Sequence, residues 1–142
     1  MKRLTVLIFS LLVCMGVFSQ NFAVIDGTYQ NVGQAKSRYY SQQTYLVKDN
    51  QVMADNQIAS ALNGKNISNL HLFVSTEPGS IVFCNMIINA ENMKEHAFTI
   101  LQLASNVSNN IIIHSSNVFS TELGIDFQNK LEQLTGLTFT AQ

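Results

Sequence analysis

Apolar residues fall into short runs of β-forming residues that alternate with segments of helical spacing, and turn signals close several of the runs. FAVI (22–25) is continuous and ends at Asp26-Gly27, which predicts a first strand. TYLV (44–47), rich in β-formers, stops at Asp49-Asn50 and predicts a second. LHLFV (70–74) is a third. After Pro78-Gly79, residues 80–84 and 86–88 predict a small hairpin. The β-branched run III (111–113) has the composition of a strand buried on both faces of a parallel sheet. LTFTA (137–141) predicts a last, short strand.

Helical spacing fills the intervals. Asp55 is placed to cap a helix that carries Ile58, Ala61 and Leu62 on one face and closes at Gly64. Met93, Ala97, Ile100, Leu101 and Ala104 trace one helix face, with Asn89 as its cap. Leu123, Phe127, Leu131 and Leu134 repeat the stripe, closed by Gly136. Residues 31–42 are polar and leave their conformation open, though Ala35, Arg38 and Tyr39 suit a helix. Alternating strands and helices predict an α/β fold with a mostly parallel sheet flanked by helices. Right-handed crossovers place the third strand beside the one at 111–113. Ligands of open α/β sheets gather at the carboxyl ends of the strands. The rim is therefore expected at Ser75 and Ser116, on one edge of the sheet.

The amino terminus changes the domain count and the charge. Lys2 and Arg3 precede an apolar stretch to Phe18, and Val17-Phe18-Ser19 presents small residues for cleavage, so residues 1–19 are expected to be a signal peptide. The stretch is shorter than the roughly 20 residues of a membrane span. Cys14 offers a lipoprotein alternative, opposed by Val13, which stands where a small residue is expected. Residues 20–142 then form one domain with its own core. Without Lys2 and Arg3, the eight basic residues become six against nine acidic ones. No basic stripe remains for nucleic acid. Cys84 is the one cysteine beyond residue 19, so a disulfide scaffold is excluded.

Candidate chemistry is sparse. His114 lies two residues before Ser116 and would share its side of an extended strand, but at about 6–7 Å, too far for a direct hydrogen bond unless the strand bends. His71 reads as a hydrogen-bonded sheet residue, Cys84 as a packing cysteine and His96 as a solvent-facing residue. Glu77, Asp26 and Asp126 lie near the rim without forming a carboxylate pair. No spacing for a metal site or a phosphate loop occurs, so neither metal nor cofactor is expected. Tyr39, Tyr40 and Tyr45 could supply an aromatic contact patch, with Tyr45 better suited to packing in the sheet. The Asn66-Ile67-Ser68 and Asn106-Val107-Ser108 sequons matter only in a glycosylating host.

Two segments carry a resemblance. LHLFVSTEPGS (70–80) and IIIHSSNVFSTELGIDFQNKLEQLTG (111–136) resemble the signature segments of a bacterial domain of unknown function, family 4347. That domain opens many large secreted and cell-surface proteins and is similar to caspase and gingipain-like cysteine peptidases. Leu70, His71, Pro78, Gly79 and Ser80 match its first pattern. Asn117, Gly124, Phe127, Leu131, Leu134, Thr135 and Gly136 match the second. The resemblance implies a three-layer, caspase-like (flavodoxin-like) sheet. It also implies a catalytic histidine where this chain has Ser75 and a catalytic cysteine where it has Ser116, with Thr76 and Ser115 replacing glycines. Family members usually continue past the last strand, which implies a shortened copy here.

Serine does not titrate near neutral pH, so Ser75 cannot act as base, and Ser116 without a base is a weak nucleophile. The expectation is a non-catalytic, exported interaction or adhesion-associated module with a protein or cell-surface partner. The alternative is a hydrolase with Ser116 as nucleophile and His114 as base.

Overall fold

A computed structural model of the chain describes residues 20–39, 43–48 and 53–142. The expected targeting segment, Cys14, Tyr40 and the Asp49-Asn50 turn lie outside these residues. The described elements, in chain order, are β1 (Asn21–Asp26), α1 (Val32–Ser37), β2 (Thr44–Val47), α2 (Ala54–Leu62), β3 (Ile67–Phe73), β4 (Ser75–Glu77), β5 (Ser80–Phe83), β6 (Met86–Asn89), α3 (Ala97–Ala104), β7 (Val107–Ile113), α4 (Glu122–Thr135) and β8 (Thr138–Ala141).

Five strands form one sheet in the order β2-β1-β3-β7-β8, every pair parallel. With β4–β6 set aside, this is the doubly wound order 2-1-3-4-5, whose direction of winding reverses between β1 and β3. The fold is α/β, as the alternation of patterns predicts. The two-residue period of the strands divides the core. On one face, Phe22, Val24, Leu70, Leu72, Ile111, Ile113 and Phe139 pack with Ile58 and Leu62 of α2, Ile100 and Leu103 of α3, and Phe127 and Leu131 of α4. On the other, Ala23, Ile25 and Phe73 pack with Ala35 of α1 and the flanking Tyr29 and Tyr39. Ile112, on the strand expected to be buried on both faces, is only half-buried.

The predicted hairpin is present and gains a strand, because β4 pairs antiparallel with β5. Its turn is Cys84-Asn85, two residues with φ of 49° and 64°. A two-residue link in this left-handed conformation matches the twist of the flanking strands. Asp26 ties this turn to the end of β1. Its carboxylate is 1% exposed; Oδ2 accepts from the Cys84 N–H at 2.6 Å. Oδ1 accepts from the Thr28 N–H and hydroxyl at 2.8 and 2.9 Å.

Two helical stripes sit differently from their sequence pattern. Asn89 caps a series of tight turns, not a helix, accepting from the Glu91 and Asn92 N–H groups. The helix begins only at Ala97. The hydroxyl of Thr99 binds the Asp55 carboxylate of α2. Thr99, Ile100 and Leu103 face inward, leaving Leu101 43% exposed. In α4 the inward position falls on Gly124 rather than on Leu123, which is 68% exposed. A Cβ on Gly124 would come within 2.4 Å of the Val118 carbonyl oxygen. The loop backbone occupies the space a side chain would need.

Candidate functional site

β3 and β7 lie side by side with Leu72 opposite Ile113. The Leu72 carbonyl accepts from the His114 N–H at 3.0 Å, carrying the pairing one residue past β7. Then the chain bends: the Ser115 N–H bonds back to the Ile113 carbonyl at 2.9 Å. This bend removes the extended geometry that would have placed His114 and Ser116 on one strand face.

The residues brought together at the rim are neighbours of the two matched serines. Asn117 Oδ1 accepts from Thr76 Oγ1 at 2.9 Å and from Ser115 Oγ at 2.5 Å. The two hydroxyls also contact each other. Ser75 and Ser116 are both exposed, and no hydrogen bond joins their side chains among the described residues. Behind the rim, the Gly79 N–H donates to the Val118 carbonyl at 2.8 Å. Gly79 has φ of 82°, and its ideal Cβ would lie 3.0 Å from that of Leu123. The left-handed conformation and the close approach both favour glycine here. Thr121 caps α4 by accepting from the Gly124 N–H. The motif residues Gly79, Asn117 and Gly124 thus hold the rim's backbone in place.

His114 is turned toward the sheet. It follows the Leu72–Ile113 pair, so its ring falls over Phe73 on the neighbouring strand, with centroids 4.0 Å apart and planes 6° apart. Its Nε2 lies 2.9 Å from Nδ1 of His71, two residues back on the same face of β3. Tyr39 covers His71 from the α1 side at 5.1 Å between centroids. Burial lowers the His71 pKa below its ordinary value. Burial, then the neighbouring His71 and Arg38 charges, lower that of His114 to about 4. Two neutral imidazoles can share one N–H···N bond, each ring supplying one of its two nitrogens. His71 is therefore a hydrogen-bonded sheet residue whose partner is His114.

The other candidates have separate places. Cys84 is half-buried at the β5–β6 turn and its N–H is held by Asp26. His96 is half-buried at the start of α3. Asp126 pairs with Lys130 at 2.9 Å along α4, and Glu77 is exposed on β4. Tyr45 packs against the larger core. Among the described residues no group of three or more metal-ligating side chains converges, and no helix is long and apolar enough to cross a membrane.

Beside the His114 ring, between α1 and the ends of β3 and β8, lies a small polar cavity of about 170 Å³. Sequence reasoning singled out none of its polar walls except His114, because they come from positions 29–38 and 142, far apart in the chain. The family resemblance marks Thr76, Ser115 and Asn117 one by one, but that they meet depends on the register that pairs β3 with β7.

A family model described as "Domain of unknown function (DUF4347)" matches residues 22–142. The chain belongs to this family. No curated protein and no solved structure matches it.

Proposed function

We propose that this DUF4347 domain is an exported, non-catalytic binding module, in which a caspase-like rim serves to hold a protein or cell-surface partner. The observation that carries the reading is the engagement of His114. Its Nε2 is held by His71 at 2.9 Å and its ring is stacked on Phe73. One of the two ring nitrogens is therefore directed along the sheet and the ring is fixed in place. A useful general base also needs a pKa near the working pH, whereas His114 sits at about 4. Serines stand at the two positions where the family's cysteine-peptidase-like pattern has its working groups, and both are exposed to solvent. The half-buried Ser115 hydroxyl is bonded to Asn117 and Thr76.

Export is supported by the basic start and apolar stretch of residues 1–19, and Val13 opposes lipidation at Cys14. One experiment tests both parts. A bacterium expressing residues 1–142 is expected to deliver outside the cytoplasm a protein whose first residue is Gln20, and that protein leaves a pooled peptide library intact by mass spectrometry. Uncleaved protein retained in the cytoplasm contradicts export. Peptide cleavage that disappears in Ser116→Ala contradicts the non-catalytic reading in favour of the Ser116–His114 hydrolase.

A further inference from the structure

The large sheet has two outer edges, and neither edge strand carries what usually keeps other strands away. β2 (TYLV) and β8 (TFTA) contain no charged residue and no proline, the residues that commonly blunt an open edge. Each edge instead meets a side chain from a helix. At β8, the Gln142 N–H donates to the Ile113 carbonyl at 3.0 Å, so residue 142 faces β7. Successive residues of a strand direct their backbone groups to alternate edges, and Phe139 and Ala141 therefore face outward. The Phe139 carbonyl accepts from Gln128 Nε2 at 2.7 Å. The Phe139 N–H donates to Glu132 Oε1 at 2.9 Å.

These two contacts reproduce what a neighbouring strand would offer, one donor and one acceptor to the same residue. Gln128 and Glu132 stand one turn apart on α4, which places them side by side along the edge. The Phe139 side chain is buried with Phe127 and Leu131 of the same helix, and this packing sets the distance between helix and strand. At the opposite edge a single amide does the same. The Gly27 N–H donates to the Val47 carbonyl at 2.8 Å, so the next residue, Lys48, faces away from β1. Gln57 of α2, 6% exposed, accepts from the Lys48 N–H at 2.9 Å and donates to the Lys48 carbonyl at 2.8 Å. In both places the bonds fall on the backbone groups that an added strand would use.

We propose that Gln128 and Glu132 hold the β8 edge closed, and that without them β8 docks a second copy of this chain, strand against strand and antiparallel. A second copy is the occupant because pairing of one edge with itself about a two-fold axis is self-complementary. The strand also carries no charge that would repel its own copy. The inference goes beyond the reading of the rim and does not depend on what the rim binds, since the rim lies at the strand ends and this surface runs along β8.

The test combines sedimentation velocity with amide hydrogen exchange on the protein comprising residues 20–142, which contains both apolar cores. In Gln128→Ala/Glu132→Ala, dimerisation at least about tenfold tighter than in the wild type is expected. The Phe139 and Ala141 amides of that variant should gain protection as protein concentration rises, while those of the wild type should not change with concentration. Adding Ala141→Pro removes an outward N–H without touching the β7 ladder, and is expected to return association to the wild-type level. Glu132→Gln, which keeps the acceptor, should behave as the wild type does. A double variant that melts cooperatively yet associates no more than the wild type would overturn the proposal. Association that survives Ala141→Pro would place the contact on another surface and overturn it as well. Where the double variant shows no cooperative melt, Glu132→Ala alone frees the Phe139 N–H and is held to the same outcomes.

Discussion

At the scale of single residues, the histidine pair concentrates the consequences of the fold. Both His71 and His114 have pKa values below the ordinary histidine value, chiefly through burial. The unfolded chain therefore binds more protons than the folded one between roughly pH 6.5 and pH 4. Stability is fully present above the unfolded value and declines as pH falls through that window. Urea midpoints at pH 7 and pH 4.5 should show a larger loss for the wild type than for the His71→Gln/His114→Gln variant. The expected difference is about 1 kcal/mol once solvent screening of the half-buried rings is allowed for. Carboxylates titrate in both proteins, so only the difference reports on the rings; parallel pH profiles would contradict the pairing. The sequence showed both histidines at strand positions but not their contact. That contact depends on the register placing Leu72 opposite Ile113, a tertiary fact.

At the scale of elements, strands were the most legible parts. Runs such as FAVI and III carry enough β-branched and apolar surface to identify themselves in any context. Helix faces were less legible because neighbours settle their rotation. Leu123 fits a helical stripe, yet the Val118–Phe119 backbone admits only Gly124 at the inward position. Asn89 has the chemistry of a helix cap, yet its carbonyl oxygen serves tight turns and the helix starts later. The attachment of the small sheet was hidden altogether, since it depends on one buried carboxylate meeting a turn 58 residues away. Asp26→Ala removes the acceptor of the Cys84 and Thr28 N–H groups. A loss of about 2–3 kcal/mol is expected from groups left without partners. Hydrogen exchange should accelerate first in β5 and β6. Uniform acceleration across β1, β3 and β7 with the hairpin unchanged would show that Asp26 does not act as the latch.

For the whole molecule, the fold class and the adjacency of β3 and β7 followed from the sequence, because they depend on patterns long enough to outweigh local ambiguity. The contents of the rim did not follow. The matched serines are exposed while Thr76, Ser115 and Asn117 bond to one another, and the polar cavity draws on segments that only the doubly wound topology brings together. The central claim is that this rim holds a partner without breaking bonds in it. Treatment of the protein comprising residues 20–142 with a fluorophosphonate probe tests it most directly, since such probes report an activated serine and not mere exposure. The intact mass is predicted to remain unchanged. Labelling of Ser116 that vanishes in both Ser116→Ala and His114→Gln would contradict the account.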